Sequence, residues 1–203
     1  MSNTKISANY STIILSAGKS SRMGQPKYAL QCPNGKSFLE QIIENFLKFG
    51  CREIVVVLNA EGFTDLSKKS DLFPKNVKFV RNDFPEYQRF YSLKLGAMAL
   101  ENPYPIFVHN VDNPFVCSEV LNELLQNLPN ADYILPEFDG KGGHPILLSE
   151  KVVQTLRACS ENSTHLRDFL TKFSAKRIPI QTSTILANLN TEEDYRTYLD
   201  GLM

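Results

Sequence analysis

The run from Ser11 to Leu15 is β-branched and apolar, and it passes without a break into Ser16-Ala17-Gly18-Lys19-Ser20-Ser21. A strand of that composition suits the buried interior of a parallel sheet, and residues this small let backbone N–H groups close around an anion at the strand's end. Parallel strands need long crossovers, and the chain supplies them, because strand-like and helix-like segments alternate from end to end. The pattern predicts an α/β fold: a three-layer α/β/α sandwich with a mostly parallel, Rossmann-like sheet. Its 203 residues form one domain, large enough to bury a core without disulfides.

Further strands are expected at Glu53 to Leu58, Val77 to Arg81, Tyr104 to Asn110, Tyr133 to Leu135 and Pro145 to Leu148, with short β candidates at Ile178 to Gln181 and Thr184 to Ala187. Ser37-Phe-Leu-Glu40 is a capping-box signature opening a helix to Phe49, and Gly50 stops it. Helices are also expected over Thr64 to Leu72, Glu86 to Glu101, Ser118 to Leu128, Ser149 to Ala158 and Thr164 to Phe173, and after the cap Thr191-Glu-Glu-Asp194. Ligands of open α/β sheets bind beyond the C-terminal strand ends. Polar residues fall there: Ser16 to Lys27, Asn59 to Gly62, Asn82-Asp83 and Asp112.

Lys and Arg number 22 and Asp and Glu 22, so the chain lacks the basic surplus of a nucleic-acid binder, and any phosphate chemistry is local. Cys32, Cys51, Cys117 and Cys159 stand far apart, which points to reduced thiols and away from a zinc site. Met1 to Asn9 lacks an apolar signal core, and no apolar run approaches the roughly 20 residues of a membrane span. A cytoplasmic protein with no membrane partner is expected.

The familiar phosphate loops are excluded by spacing. A P-loop ending in Gly18-Lys19-Ser20 would need glycine at Ile13, and Gly18 and Gly24 do not form the dinucleotide fingerprint. Lys19, Arg22 and Lys27 nonetheless share one loop, whose path Gly24 and Pro26 fix. The planar guanidinium of Arg22 suits terminal phosphates, and the compact ammonium of Lys27 suits charge developing on one phosphorus. Asp112 follows an apolar strand in His109-Asn-Val-Asp-Asn-Pro114. A lone carboxylate opposite a phosphate loop suits magnesium, and an Asx turn or a cap ahead of Ser118 is the alternative. Gly142-Gly143-His144-Pro145 presents a histidine that is either structural or functional.

Leu15-Ser-Ala-Gly-Lys-Ser-Ser-Arg-Met-Gly-Gln-Pro-Lys27 resembles the Leu-x-x-Gly-x-Ser-x-Arg-Met-Gly-x-x-Lys signature of the molybdenum cofactor nucleotidylyltransferases. These belong to the glycosyltransferase-A type fold shared with nucleotide-diphospho-sugar transferases. Asn82, Ser92-Leu93 with Gly96, Val111 to Phe115, Gly143-His144-Pro145 and Asn190 to Tyr195 continue the resemblance in order over nearly the whole chain. It implies Mg2+-dependent transfer of a nucleoside monophosphate from its triphosphate to a phosphorylated small-molecule acceptor, with release of pyrophosphate. Leu15, Ser16, Ala17 and Gly18 would hold base and ribose; Lys19, Ser20, Ser21 and Arg22 the β- and γ-phosphates; Lys27 the α-phosphate. Asn82 and Ser92 would also serve the nucleotide, Tyr91, Gly143 and His144 the acceptor, and Asp112 and Asn190 the metal. The catalytic residues are then Arg22, Lys27 and Asp112, with no general base, since the acceptor phosphate is already an anionic nucleophile.

Ala17 adds a methyl group where guanylyltransferases of the family have glycine, which favours CTP, whereas Asn190-Thr191 resembles the guanine branch. Gln88-Arg89-Phe90-Tyr91 is bulky where relatives are small, so molybdopterin, a sugar phosphate, a phospho-alcohol and another small phosphate ester all stay open as acceptors. A nucleotide-binding accessory protein without turnover is the reading from another class.

Overall fold

The computed structural model describes residues 10–18, 23–102 and 104–201. Eight strands form one sheet: β1 (Ser11–Ser16), β2 (Ile54–Leu58), β3 (Val77–Arg81), β4 (Ile106–Asn110), β5 (Tyr133–Phe138), β6 (Lys141–Gly142), β7 (Ile146–Leu148) and β8 (Ala175–Pro179). The order is β3-β2-β1-β4-β7-β5-β6, with β8 alongside β5. From β3 to β4 every pairing is parallel, as is that of β5 with β8. β7 runs antiparallel to both β4 and β5.

Alternation along the strands sends side chains to two cores, one on each face of the sheet. Ile14, Ile54, Val56, Leu58 and Phe107 meet α1 (Phe38–Phe49) and α4 (Ser118–Asn127) on one side. Ile13, Leu15, Val55, Val57 and Val108 meet α3 (Gln88–Ala99), α5 (Glu150–Ala158) and α6 (Leu166–Leu170) on the other. These are the three expected layers. α3 lies tight against the sheet because Gly96 faces it, where a Cβ would come within 2.7 Å of Ile13 Cγ2. A smaller cluster of Met23, Leu30, Phe38 and Leu189 ties α7 (Glu192–Leu199) to the loop after β1 through Tyr195 and Tyr198.

Both capping boxes form as expected, at Ser37 with Glu40 and at Thr191 with Asp194. The expected Thr64 to Leu72 helix instead begins at Ala60 and ends at Ser67 as α2, because the Asn59 side chain accepts from Gly62 N and caps it directly after β2. Thr184 to Ala187 is no strand. Ser183–Leu186 is a 3-10 turn whose carbonyls accept from Asn113 Nδ2 and His144 N, so these groups bond across loops and not along a sheet edge. The last strand lies earlier than expected, at Ala175–Pro179, where β5 supplies its ladder.

Candidate active site

β1 ends in Ser16, and Leu15, Ser16, Ala17 and Gly18 line a cleft of about 800 Å³ that also contains Lys27, Ser92 and Asp112. Lys19, Ser20, Ser21 and Arg22 lie outside the described residues. Lys27 opens a 3-10 turn after Pro26, and the buried ring of Tyr28 anchors that turn, its hydroxyl donating to Asp65 Oδ2 at 3.3 Å. Asp112 is held by its backbone: Val111 N donates to Leu15 O and Leu189 N to Asp112 O. Next to it, fully buried Asn113 accepts from Phe115 N and donates to Thr184 O. The Asx turn expected as an alternative for Asp112 is thus made by Asn113, which leaves the Asp112 carboxylate for the cleft.

Lys27 Nζ donates to Asp112 Oδ2 at 3.3 Å and also to Asn190 Oδ1. Asn190 is steadied by its own N–H, which donates to Asp194 Oδ2 at 2.9 Å within the α7 cap. That bond, foremost, holds the Asp194 carboxyl below the usual carboxylate range. Three residues far apart in sequence therefore meet at Lys27; of them Lys27 and Asp112 line the cleft, with side-chain exposure of only 15% and 14%. Two oxygens from separate loops already share one cation. That donor pair, a carboxylate and an amide carbonyl, also fits a hard divalent ion completed by phosphate and water. Among the described residues, no group of three or more Asp, Glu, His or Cys side chains is placed to hold a metal ion.

Other predicted residues fall differently. Asn82 is buried and its carboxamide is used internally, accepting from Phe84 N at 2.8 Å and donating to Ser92 Oγ at 2.9 Å. It acts on the cleft by fixing Ser92. Tyr91 packs on Phe84 and Tyr87 and is not among the residues lining the cleft. His144 accepts from Asn110 Nδ2 at 2.9 Å, and it is Asn110 that faces the cleft. Burial first, then the charge of Arg89, lowers the His144 pKa, while Asp112 opposes them. Gly143 lies under Ile185, where a Cβ would stand 2.5 Å from the Ile185 carbonyl oxygen. Gly143→Ala is therefore expected to lower stability by about 1–3 kcal/mol through overpacking against backbone, read as a drop in Tm; an unchanged Tm would refute this packing role.

The cleft also includes His165, Arg167 and Thr171 around α6, and Tyr133, Leu135 and Ile146 from β5 and β7. Sequence reasoning missed these because ordinary strand and helix patterns reach the site only through the β4-β7-β5 order.

Residues 12–178 match the model of the MobA-like NTP transferase domain. The chain belongs to this family. This MobA-like nucleotidyltransferase is 29% identical to the molybdenum cofactor cytidylyltransferase of Escherichia coli (strain K12) over 188 residues, covering 91% of the chain and 93% of the relative. It is 26% identical to a probable molybdenum cofactor guanylyltransferase of Mycobacterium avium (strain 104) over 190 residues, 91% of this chain and 92% of that one. Its fold superposes on the crystal structure of the rv0371c homologue from Mycobacterium sp. strain JC1 with a TM-score of 0.78 at 19% identity, covering 96% and 97% of the two chains. None of its described helices is long and apolar enough to cross a membrane.

Proposed function

We propose that this nucleotidyltransferase transfers CMP, in preference to GMP, from the triphosphate to a phosphorylated small molecule in the cytoplasm, releasing pyrophosphate. The observation that carries the reading is that Lys27 meets both Asp112 and Asn190, with Lys27 and Asp112 lining the same cleft as Leu15 to Gly18 at the end of β1. Leu15 to Gly18 receive base and ribose; Lys19 to Arg22 take the β- and γ-phosphates. Lys27 turns from Asp112 and Asn190 to the α-phosphate, where its charge offsets the negative charge that builds up during displacement. Asp112 and Asn190 would then hold Mg2+, which when bound neutralises phosphate charge. Ser92, fixed by Asn82, gives the nucleotide a hydroxyl contact, and His144 supports the acceptor side through Asn110. The acceptor phosphate attacks as an anion, so the residues only align it.

The preference for CTP rests on Ala17, buried and on the cleft wall, whose methyl narrows the base position. Pyrophosphate release from CTP, GTP, UTP and ATP with magnesium, against a panel of phosphate esters that includes molybdopterin, tests the reaction. Triphosphate binding without release for any acceptor would favour the accessory reading. Ala17→Gly is expected to shift the CTP-to-GTP ratio of kcat/KM toward GTP by about 10-fold, the scale of one methyl group in a pocket. An unaltered ratio would remove Ala17 from base selection.

A further inference from the structure

The triphosphate side of the cleft is accounted for by β1, Lys27 and Asp112, which leaves the wall formed by α3 and α6. Gln88 and Arg89 stand there at the start of α3, with Arg167 on α6. Gln88 has φ 57° and ψ −155°, a region essentially reserved for glycine. Such a backbone persists only when its neighbours hold it. Here Tyr87 stacks on Phe84 before the turn, and fully buried Phe90 packs on Phe169 after it. Arg89 lies between these fixed points.

Arg52, Arg81, Arg157, Arg177 and Arg196 each donate to a partner. Among the described residues, the arginines with neither an ion pair nor a hydrogen bond from the side chain are Arg89 and Arg167, and both line the cleft. Arg89 lines the same cleft as Asp112, and the charges of both act on His144, in opposite directions. Guanidinium forks match phosphate oxygens, and two of them suit a dianionic monoester better than a neutral alcohol.

We propose that Arg89 and Arg167 clamp the phosphate of the acceptor, with Gln88 as the positioning residue that aims Arg89, and that Tyr133, Leu135 and Ile146 receive the acceptor's carbon body. The proposal rests on the nucleotidyl-transfer reading. An oxygen of the clamped phosphate forms the new bond to the α-phosphorus, and the bond from that phosphorus to pyrophosphate breaks. The electron pair departs with pyrophosphate, and no proton needs to move.

Inorganic phosphate is the probe, titrated by 31P NMR into protein saturated with α,β-methylene-CTP and magnesium. Arg89→Met and Arg167→Met are each expected to weaken phosphate binding about 10-fold, the scale of one charge-assisted contact, with the affinity for the analogue unchanged. Arg89→Lys should recover part of the loss. Unchanged phosphate affinity in both Met variants, or a loss that falls on the analogue instead, would overturn the clamp. If wild-type protein bound neither α,β-methylene-CTP nor the GTP counterpart, the underlying reading would fall, and the clamp with it. Gln88→Gly is expected to keep the Tm, since relief of strain offsets glycine's greater freedom when unfolded, yet to weaken phosphate binding severalfold. A lowered Tm with phosphate affinity intact would make Gln88 merely structural.

Discussion

Lys27→Ala is expected to lower kcat for pyrophosphate release by about 10²–10³-fold, the range lost when one preorganised electrostatic donor is removed from a reacting centre. The fold should persist, because Tyr28 and the Pro26 turn anchor this segment and the lysine head group reaches a cleft open to solvent. Triphosphate binding should suffer less than kcat, since the proposed function assigns the β- and γ-phosphates to Lys19 to Arg22 and not to Lys27. Asp112→Ala should show the same pattern, and its loss should not be restored by raising magnesium. Steady-state rates measured beside thermal melts decide the matter; wild-type turnover in either variant would sink the assignment.

Acidification is expected to destabilise the protein well above the pH at which its carboxylates protonate. His109 is fully buried on β4, its Nε2 paired with Asn113 O at 2.7 Å and its Nδ1 without a partner among the described residues. Burial, with a further contribution from His144, pushes its pKa from 6.5 to about 3. Between those values the unfolded chain binds a proton that the folded one refuses. Stability therefore rises with pH across this window and is lost as pH falls, by slightly over about 1 kcal/mol per pH unit for this one group. The lowered pKa of His144 acts in the same direction. Asp132 and Asp194, whose folded pKa values are depressed, add their losses only below the usual carboxylate range. Denaturant melts between pH 7 and pH 4.5 would show the slope, and His109→Gln, which keeps a donor for Asn113 O, should flatten it. An equal slope in wild type and variant would show that His109 is not its source.

His109 also illustrates what a sequence hides. In Ile106 to Asn110 it reads as one polar residue in a strand, and only the packing of Phe46 and the approach of His144 to 6.4 Å make it an interior base. Gly142-Gly143-His144-Pro145 reads in the sequence as a turn presenting a histidine, either structural or functional. The structure buries Gly143 under Ile185 and joins the histidine to Asn110, because β7 enters the sheet beside β4.

By itself the sequence determined the layered α/β architecture and the order of most elements. Those follow from local alternation, caps and stops, as at Ser37 with Glu40 and Thr191 with Asp194. The expectation of a phosphate loop at Ser16 to Lys27 came from sequence too, since a buried strand running into small and basic residues is a local pattern; Lys19 to Arg22 lie outside the described residues. Tertiary structure alone decided that Lys27 meets Asp112 across 85 residues and Asn190 across 163. It alone decided, too, that β7 and α6 bring Ile146 and Arg167 to the same cleft. Local patterning carries no information about which loops meet; that is set by strand order and by the packing of both faces of the sheet.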